Sequence, residues 1–202
     1  MSGLKLTAEA PLPPAPGEGE HSSLALANSA MHLPKLDAVE LLGSPTEATK
    51  WLIKRGLAPE NAQLHDYCLR RLIALRNQIR ELFAAAEQGH RPPNYALEAV
   101  NHALSRTPTV QLLAWEPTRG FHQETTHPAT QIVEHAMTTI AADAISLLTS
   151  SKVALLAACE AKPCNRYLLR THGRRHWCSK RCGDRVRAAR SYARRGERTL
   201  KN

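Results

Sequence analysis

Aromatic residues, long apolar runs and cysteines are all scarce in this 202-residue chain, and each shortage narrows what it can be. Phe, Trp and Tyr supply only 4% of residues, so a core must be built mainly from Ala, Leu, Ile and Val. No apolar run approaches the ~20 residues that a membrane-spanning helix needs. The opening MSGLKLTAEAPLPPAPGEGEH has no apolar h-region and contains acids, so it does not read as a secretory signal. The expectation is a cytoplasmic chain with reduced thiols and no membrane partner. A glycine-rich phosphate loop, a nucleophile elbow and a paired-carboxylate motif are missing too, which argues against an enzyme. Acids are scarce at one end only. Residues 159–202 hold 14 Lys+Arg against 3 Asp+Glu, whereas residues 1–158 hold 13 against 15. The formal charge of +9 therefore belongs to the tail. So concentrated a positive field attracts polyanions, nucleic acid before anionic membrane, because the tail lacks an apolar face that could insert.

What is present divides the chain in three. Residues 1–20 are rich in Pro, Gly, Ala and Glu and read as a disordered leader. Residues 21–150 read as a mostly helical body. In it, residues 24–28 (LALAN) lean to a short strand, with a helical turn as the alternative. Ser44-Pro45-Thr46-Glu47 is a capping box that opens a helix running to Gly56. Cys68, Leu72, Leu75, Ile79, Leu82, Phe83 and Ala86 recur at helical spacing and predict a long helix ended by Gly89. Asn94 opens a shorter one with Leu97, Val100 and Leu104. Residues 109–115 and 119–125 read as a hairpin. A last helix begins near Pro128, with Val133, Ala136, Met137, Ile140, Ala144, Leu147 and Leu148 on one face. Residues 151–202 form a small cysteine-bearing module. The fold class is mainly α with a small β-hairpin (α+β), a helical N-terminal body followed by that module. Because the body has its own apolar faces, it is expected to stay folded if the module is lost.

Cysteine spacing is the strongest local signal. Cys159 and Cys164 make C-x4-C, Cys178 and Cys182 make C-x3-C, and thirteen residues separate the pairs. Two close pairs joined by such a loop suit one structural Zn²⁺ ion held by four thiolates. Four thiolates leave no open position for water, so catalytic zinc does not fit. Disulfides conflict with a reducing compartment, and an oxidation-sensitive zinc switch remains an alternative. Cys68 lies on the apolar face of its helix and is expected to be buried and apart from the metal.

After the third cysteine the sequence reads SKRCGDRVRAARSYARRGER. Ser179 can cap a helix running to about Arg195, with Gly196 at its end. Arg187, Arg190 and Arg194 form one stripe on it. Val186, Ala189 and Ala193 form an apolar stripe that can rest on the zinc module. Arg181 and Arg185 lie roughly opposite the arginines. Arg174, Arg175, Lys180 and Arg195 complete a candidate nucleic-acid surface, with Trp177 as an exposed-prone aromatic. Guanidinium forks suit phosphates and guanine edges. A solvated basic tail or a zinc-scaffolded protein-interaction module is the competing reading. The stretch 121–127, FHQETTH, offers His122, Glu124 and His127 but matches no metal motif.

Cys159-x4-Cys164, Leu168-Leu169-Arg170-Thr171, Arg174-Arg175-His176-Trp177-Cys178-Ser179 and Cys182-Gly183-Asp184-Arg185 together resemble the CGNR zinc finger. In that family the finger follows an N-terminal ABATE domain, and the body here is similar to it in order and length. The resemblance covers about residues 22–195. It implies a transcription regulator of the stress-induced kind, binding nucleic acid, duplex DNA foremost, with a body that could sense a small-molecule effector. Asp184 stands where the family has Asn, and would repel a nearby phosphate unless it caps backbone N–H groups or pairs with Arg185 or Arg187.

Overall fold

A computed structural model of the chain describes the backbone of residues 5–6, 12–33, 36–105, 110–126 and 132–199, and the side chains at 12–33, 38–105, 113, 115–122 and 132–194. In chain order the elements are β1 (Lys5–Leu6), α1 (Ser22–Ala27), β2 (Ala30–Leu33), β3 (Leu36–Glu40), α2 (Pro45–Lys54), α3 (Asp66–Gln88), α4 (Asn94–Ser105), β4 (Val110–Glu116), β5 (Gly120–Thr126), α5 (Ile132–Thr149), a 3-10 turn (Ser151–Leu155), β6 (Leu156–Ala158), β7 (Tyr167–Leu169) and α6 (Lys180–Thr199). The fold is mainly helical with three small sheets. One has the order β1-β3-β2, with β1 parallel to β3, and the others are the antiparallel pairs β4-β5 and β6-β7. No described helix is long and apolar enough to cross a membrane.

Helix α3 is the axis, with α1, α2, α4, α5 and β6 against it. Its apolar stripe buries Leu69, Leu72, Leu75, Ile79, Leu82 and Phe83. Arg76 interrupts that stripe and is equally buried. Its guanidinium donates to both carboxylate oxygens of Glu40, at 2.7 and 2.8 Å, and to Ser29 Oγ at 3.0 Å. A cation so placed needs a partner to offset its lost hydration, and this one ties β3 to α3. Helix α2 opens as its capping box dictates, with Ser44 Oγ accepting from the Glu47 N–H at 3.2 Å. Helix α4 forms where expected, with Ala96, Val100 and Ala103 facing the core and Leu97 exposed.

Two expectations fail at the N-terminal end. Residues 24–28 do not form a strand: Leu24, Ala25, Leu26 and Ala27 are buried in α1. A segment covered on every side shows no amphipathic period, so Leu-Ala alternation carries no information about its conformation. What makes it helical is its start. Asp143 of α5 accepts from the Ser23 N–H at 2.8 Å and lies 2.9 Å from His21 Nδ1, placing an anion at the helix N-terminus. Nor are residues 12–20 part of a disordered leader, since Leu12, Ala15 and Glu18 are buried. The rest of the proposed leader, apart from β1, lies outside the described residues.

Body and cysteine module share one core. Leu156, Ala157, Tyr167, Leu168 and Leu169 belong to the same buried cluster as α1 and α3. The Tyr167 ring meets Phe83 edge-on at 5.6 Å. The Asn28 side chain pairs with Tyr167 as a neighbouring strand would, accepting its N–H at 2.8 Å and donating to its carbonyl at 2.9 Å. Arg80 spans the junction, donating to the carbonyls of Ala27 at 2.6 Å and Asn165 at 2.9 Å. The expectation that the body stands apart from the module is therefore not what the packing supports.

Candidate zinc centre and nucleic-acid interface

Short elements deliver the four cysteines. Cys159 leaves β6 with its N–H on the Arg166 carbonyl at 2.8 Å, and a tight turn brings Cys164 round, its N–H on the Ala161 carbonyl at 2.9 Å. Cys178 precedes α6 and Cys182 lies in its first turn. Ser179 caps that turn, its Oγ accepting from the Cys182 N–H at 3.2 Å. All four side chains are buried, and their sulfur atoms lie within 4.8 Å of one another.

The geometry fits zinc. Tetrahedral coordination with Zn–S near 2.3 Å puts sulfurs about 3.8 Å apart. Cys164 and Cys178 are 3.7 Å apart, as are Cys178 and Cys182. All are free thiols, and these separations far exceed a disulfide bond. Without a cation the cluster cannot hold four negative charges. Hydrogen bonds from Cys164 and Cys178 hold the Cys159 thiol down at about 2. The same sharing with Cys159, followed by burial, pushes Cys164 up to about 12 and raises Cys178 as well. A divalent ion among the sulfurs displaces those protons and fixes the loop.

Cys68 is half-buried against the core and outside the cluster. A Cys68→Ala variant should retain about one zinc per chain by elemental analysis. Metal loss in that variant would mean that the ligands are misassigned.

Helix α6 starts on this centre and leaves it. Arg185 donates to the carbonyls of Ala161 and Lys162 in the first cysteine turn, fastening the helix to it. Trp177 is not an open aromatic. A Cβ at Gly183 would lie 2.8 Å from its ring, so only glycine lets the indole rest on the helix backbone. Arg187 covers the ring from the side, its guanidinium 5.3 Å from the centroid, and pairs with Asp184 at 2.6 Å. The residue standing in place of the family's Asn thus holds Arg187 over Trp177. Val186 packs on the core, but Ala189 and Ala193, on the same face further along, are exposed. The helix also continues through Gly196 to Thr199 rather than stopping there.

The candidate cations therefore fall into two groups. Arg185 and Arg187 are engaged within the finger. Arg174, Lys180, Arg181, Arg190 and Arg194 are exposed and have no side-chain partner among the described residues. Arg175 is half-buried, and the Arg195 side chain lies outside the described residues. So do His127 and the Glu124 side chain, while His122 Nδ1 lies 3.1 Å from the Gly120 carbonyl. Sequence reading missed Arg166 and Glu18, a pair at 2.7 Å beside the cysteines. Each is a lone charge in sequence, 148 positions apart, and no local pattern could have joined them.

A helical body sharing its core with a four-thiolate finger that carries a projecting basic helix defines a zinc-finger protein with an integrated N-terminal domain. Comparison with family models gives its kind. Residues 20–151 match ABATE, described as "Putative stress-induced transcription regulator", and residues 156–195 match the CGNR zinc finger. The chain belongs to the ABATE family and carries one structural zinc site. Both matched families are of regulator and zinc-finger type. A search of curated proteins gave no match.

Proposed function

We propose that the protein is a DNA-binding transcription regulator that places α6 in the major groove of duplex DNA. One observation carries the reading: beyond the Arg187 contact with Trp177 and Asp184 the helix is exposed, and its Arg190 and Arg194 have no acidic partner among the described residues. A 20-residue helix is about 30 Å long, and a major groove about 12 Å wide admits one. The zinc centre and the Arg185 contacts fix the root of the helix, so docking it costs little ordering entropy. Arg174, Lys180 and Arg181 at that root suit flanking phosphates, and Arg190 and Arg194 reach further along. The helical body is the natural place for an input signal, and a small-molecule effector is the kind of input we assign to it.

The test is titration of zinc-loaded protein onto labelled duplex DNA at several salt concentrations. With about five phosphates neutralised at ~0.9 each, log affinity should fall with log salt at a slope near −4.5. Absence of binding at low salt would reject this reading and favour the finger as a scaffold for a protein partner.

A further inference from the structure

We propose that Arg166 is a non-ligand member of the zinc centre, held in place by Glu18, so that the strap formed by residues 12–20 and the zinc ion stabilise one another. The inference rests on the four-cysteine zinc site and goes beyond its ligands.

The argument begins with charge. Four thiolates around Zn²⁺ leave a net charge of −2, and all four cysteines here are at most 3% exposed. A buried dianion is stable only beside donors or cations. Arg166 is such a cation, fully buried, with Nη1 3.9 Å from Cys178 Sγ. The Cys178 N–H adds a donor to Cys159 Sγ at 3.4 Å. A fully buried guanidinium is itself costly unless paired, and its carboxylate partner comes from the far end of the chain. Glu18 Oε2 accepts from Arg166 Nη2 at 2.7 Å, and the Pro13 carbonyl accepts from the same nitrogen at 3.0 Å. The same carboxylate is fixed by the Ala15 N–H at 2.9 Å and by Asn28 Nδ2 at 3.2 Å, with Arg55 reaching its other oxygen at 3.3 Å.

The backbone makes the same connection. The Leu169 N–H donates to the Pro16 carbonyl at 2.8 Å. Gly17 turns there with φ of +85°, and a Cβ on it would stand 2.7 Å from the Leu169 side chain. The strap thus lies on Arg166 and β7, which follow directly on the second zinc ligand. The contact of its second acid, Glu20 with Lys152, is exposed and contributes little. Linkage is reciprocal: if zinc favours the docked strap, the docked strap favours zinc by the same factor. Residues behind the ligands commonly change metal affinity about 10–100-fold.

The experiment measures zinc affinity of the full chain by competition with a chromophoric chelator, alongside hydrogen exchange of the zinc-loaded protein. Glu18→Gln, which keeps the shape and removes the charge, should weaken zinc about 10–100-fold. The amides of Ala15 and of residues 17–20 should exchange faster while those of α4 do not change. Arg55→Gln, which removes the other charged Glu18 partner but touches no cysteine, should alter zinc affinity less than ~3-fold. Equal weakening by Arg55→Gln would reduce the effect to general loosening and overturn the proposal. Zinc held as tightly by Glu18→Gln as by the wild type would overturn it too. If Glu18→Gln does not fold, Gly17→Ala decides, since its new methyl lifts the strap from Leu169 without changing a charge. Zinc should then loosen, and a freely exchanging strap over unchanged zinc affinity refutes the linkage. A protein that binds no zinc at all would instead refute the site on which the proposal rests.

Discussion

Removing zinc, by chelation or by Cys178→Ser, is expected to destabilise the helical body together with the finger. Structural zinc contributes roughly 10–16 kcal/mol of folding free energy in isolated fingers at neutral pH. A domain of ordinary size is stable by only about 5–15 kcal/mol in total. If finger and body were separate, the first figure would concern the finger alone. Here Tyr167, Leu168 and Leu169 are core residues beside α1 and α3, and β7 takes the hydrogen bonds of the Asn28 side chain. Losing β7 removes a strand that contacts the buried helix α1 and strips Tyr167 from Phe83. Thermal unfolding of the metal-free protein, followed by circular dichroism, should begin at least ~10 °C lower, given about 2–4 °C per kcal/mol at this size. Near-ultraviolet signals should weaken before heating starts. A body transition unchanged by chelator would show that the two parts do not share their stability.

This coupling was hidden in the sequence for a physical reason, whereas the finger was legible. Cysteine spacing reports a local ring closure, so Cys159, Cys164, Cys178 and Cys182 could be read directly and meet as expected. The long helix α3 was legible because an amphipathic face repeats over six turns. Helix α1 was not, because a fully buried segment has no polar face to set a period. The strap at 12–20 has a disorder-like composition, yet Leu12 and Ala15 join the shared core and Glu18 pairs with Arg166, which no window of neighbouring residues contains. Arg76 and Arg166 show the same limit. An arginine in sequence reads as surface, and only Glu40 and Glu18, brought close by the fold, make the interior tolerable for them. The arginine stripe of α6 was legible as a pattern but not as a division of roles, because stacking on Trp177 depends on the indole crossing Gly183.

That division decides the expected behaviour of arginine variants on DNA. Replacing Arg181, Arg190 and Arg194 together with Ala should flatten the salt slope from near −4.5 to about −2, at ~0.9 per phosphate lost. Between 1 M and 0.1 M salt the same three contacts account for a factor of about 500 in affinity, the expected loss at the lower salt. Arg185→Ala should act differently. Its guanidinium is spent on the Ala161 and Lys162 carbonyls, so the variant should loosen the finger and leave the slope close to that of the wild type. Arg187 stands between the groups, paired with Asp184 and laid over Trp177. Asp184→Asn removes the one acid among the described side chains of the helix and releases Arg187 toward phosphate. Affinity should then rise about 10-fold at 0.1 M salt, with a slope steeper by about one unit. These variants separate a helix that touches DNA from one that only charges the surface. A uniform basic field would respond alike to the loss of any arginine, whereas a docked helix should respond to 181, 190 and 194 far more than to 185. Equal effects at all these positions, or no gain from Asp184→Asn, would remove α6 from the groove and leave it as a general polyanion attractor.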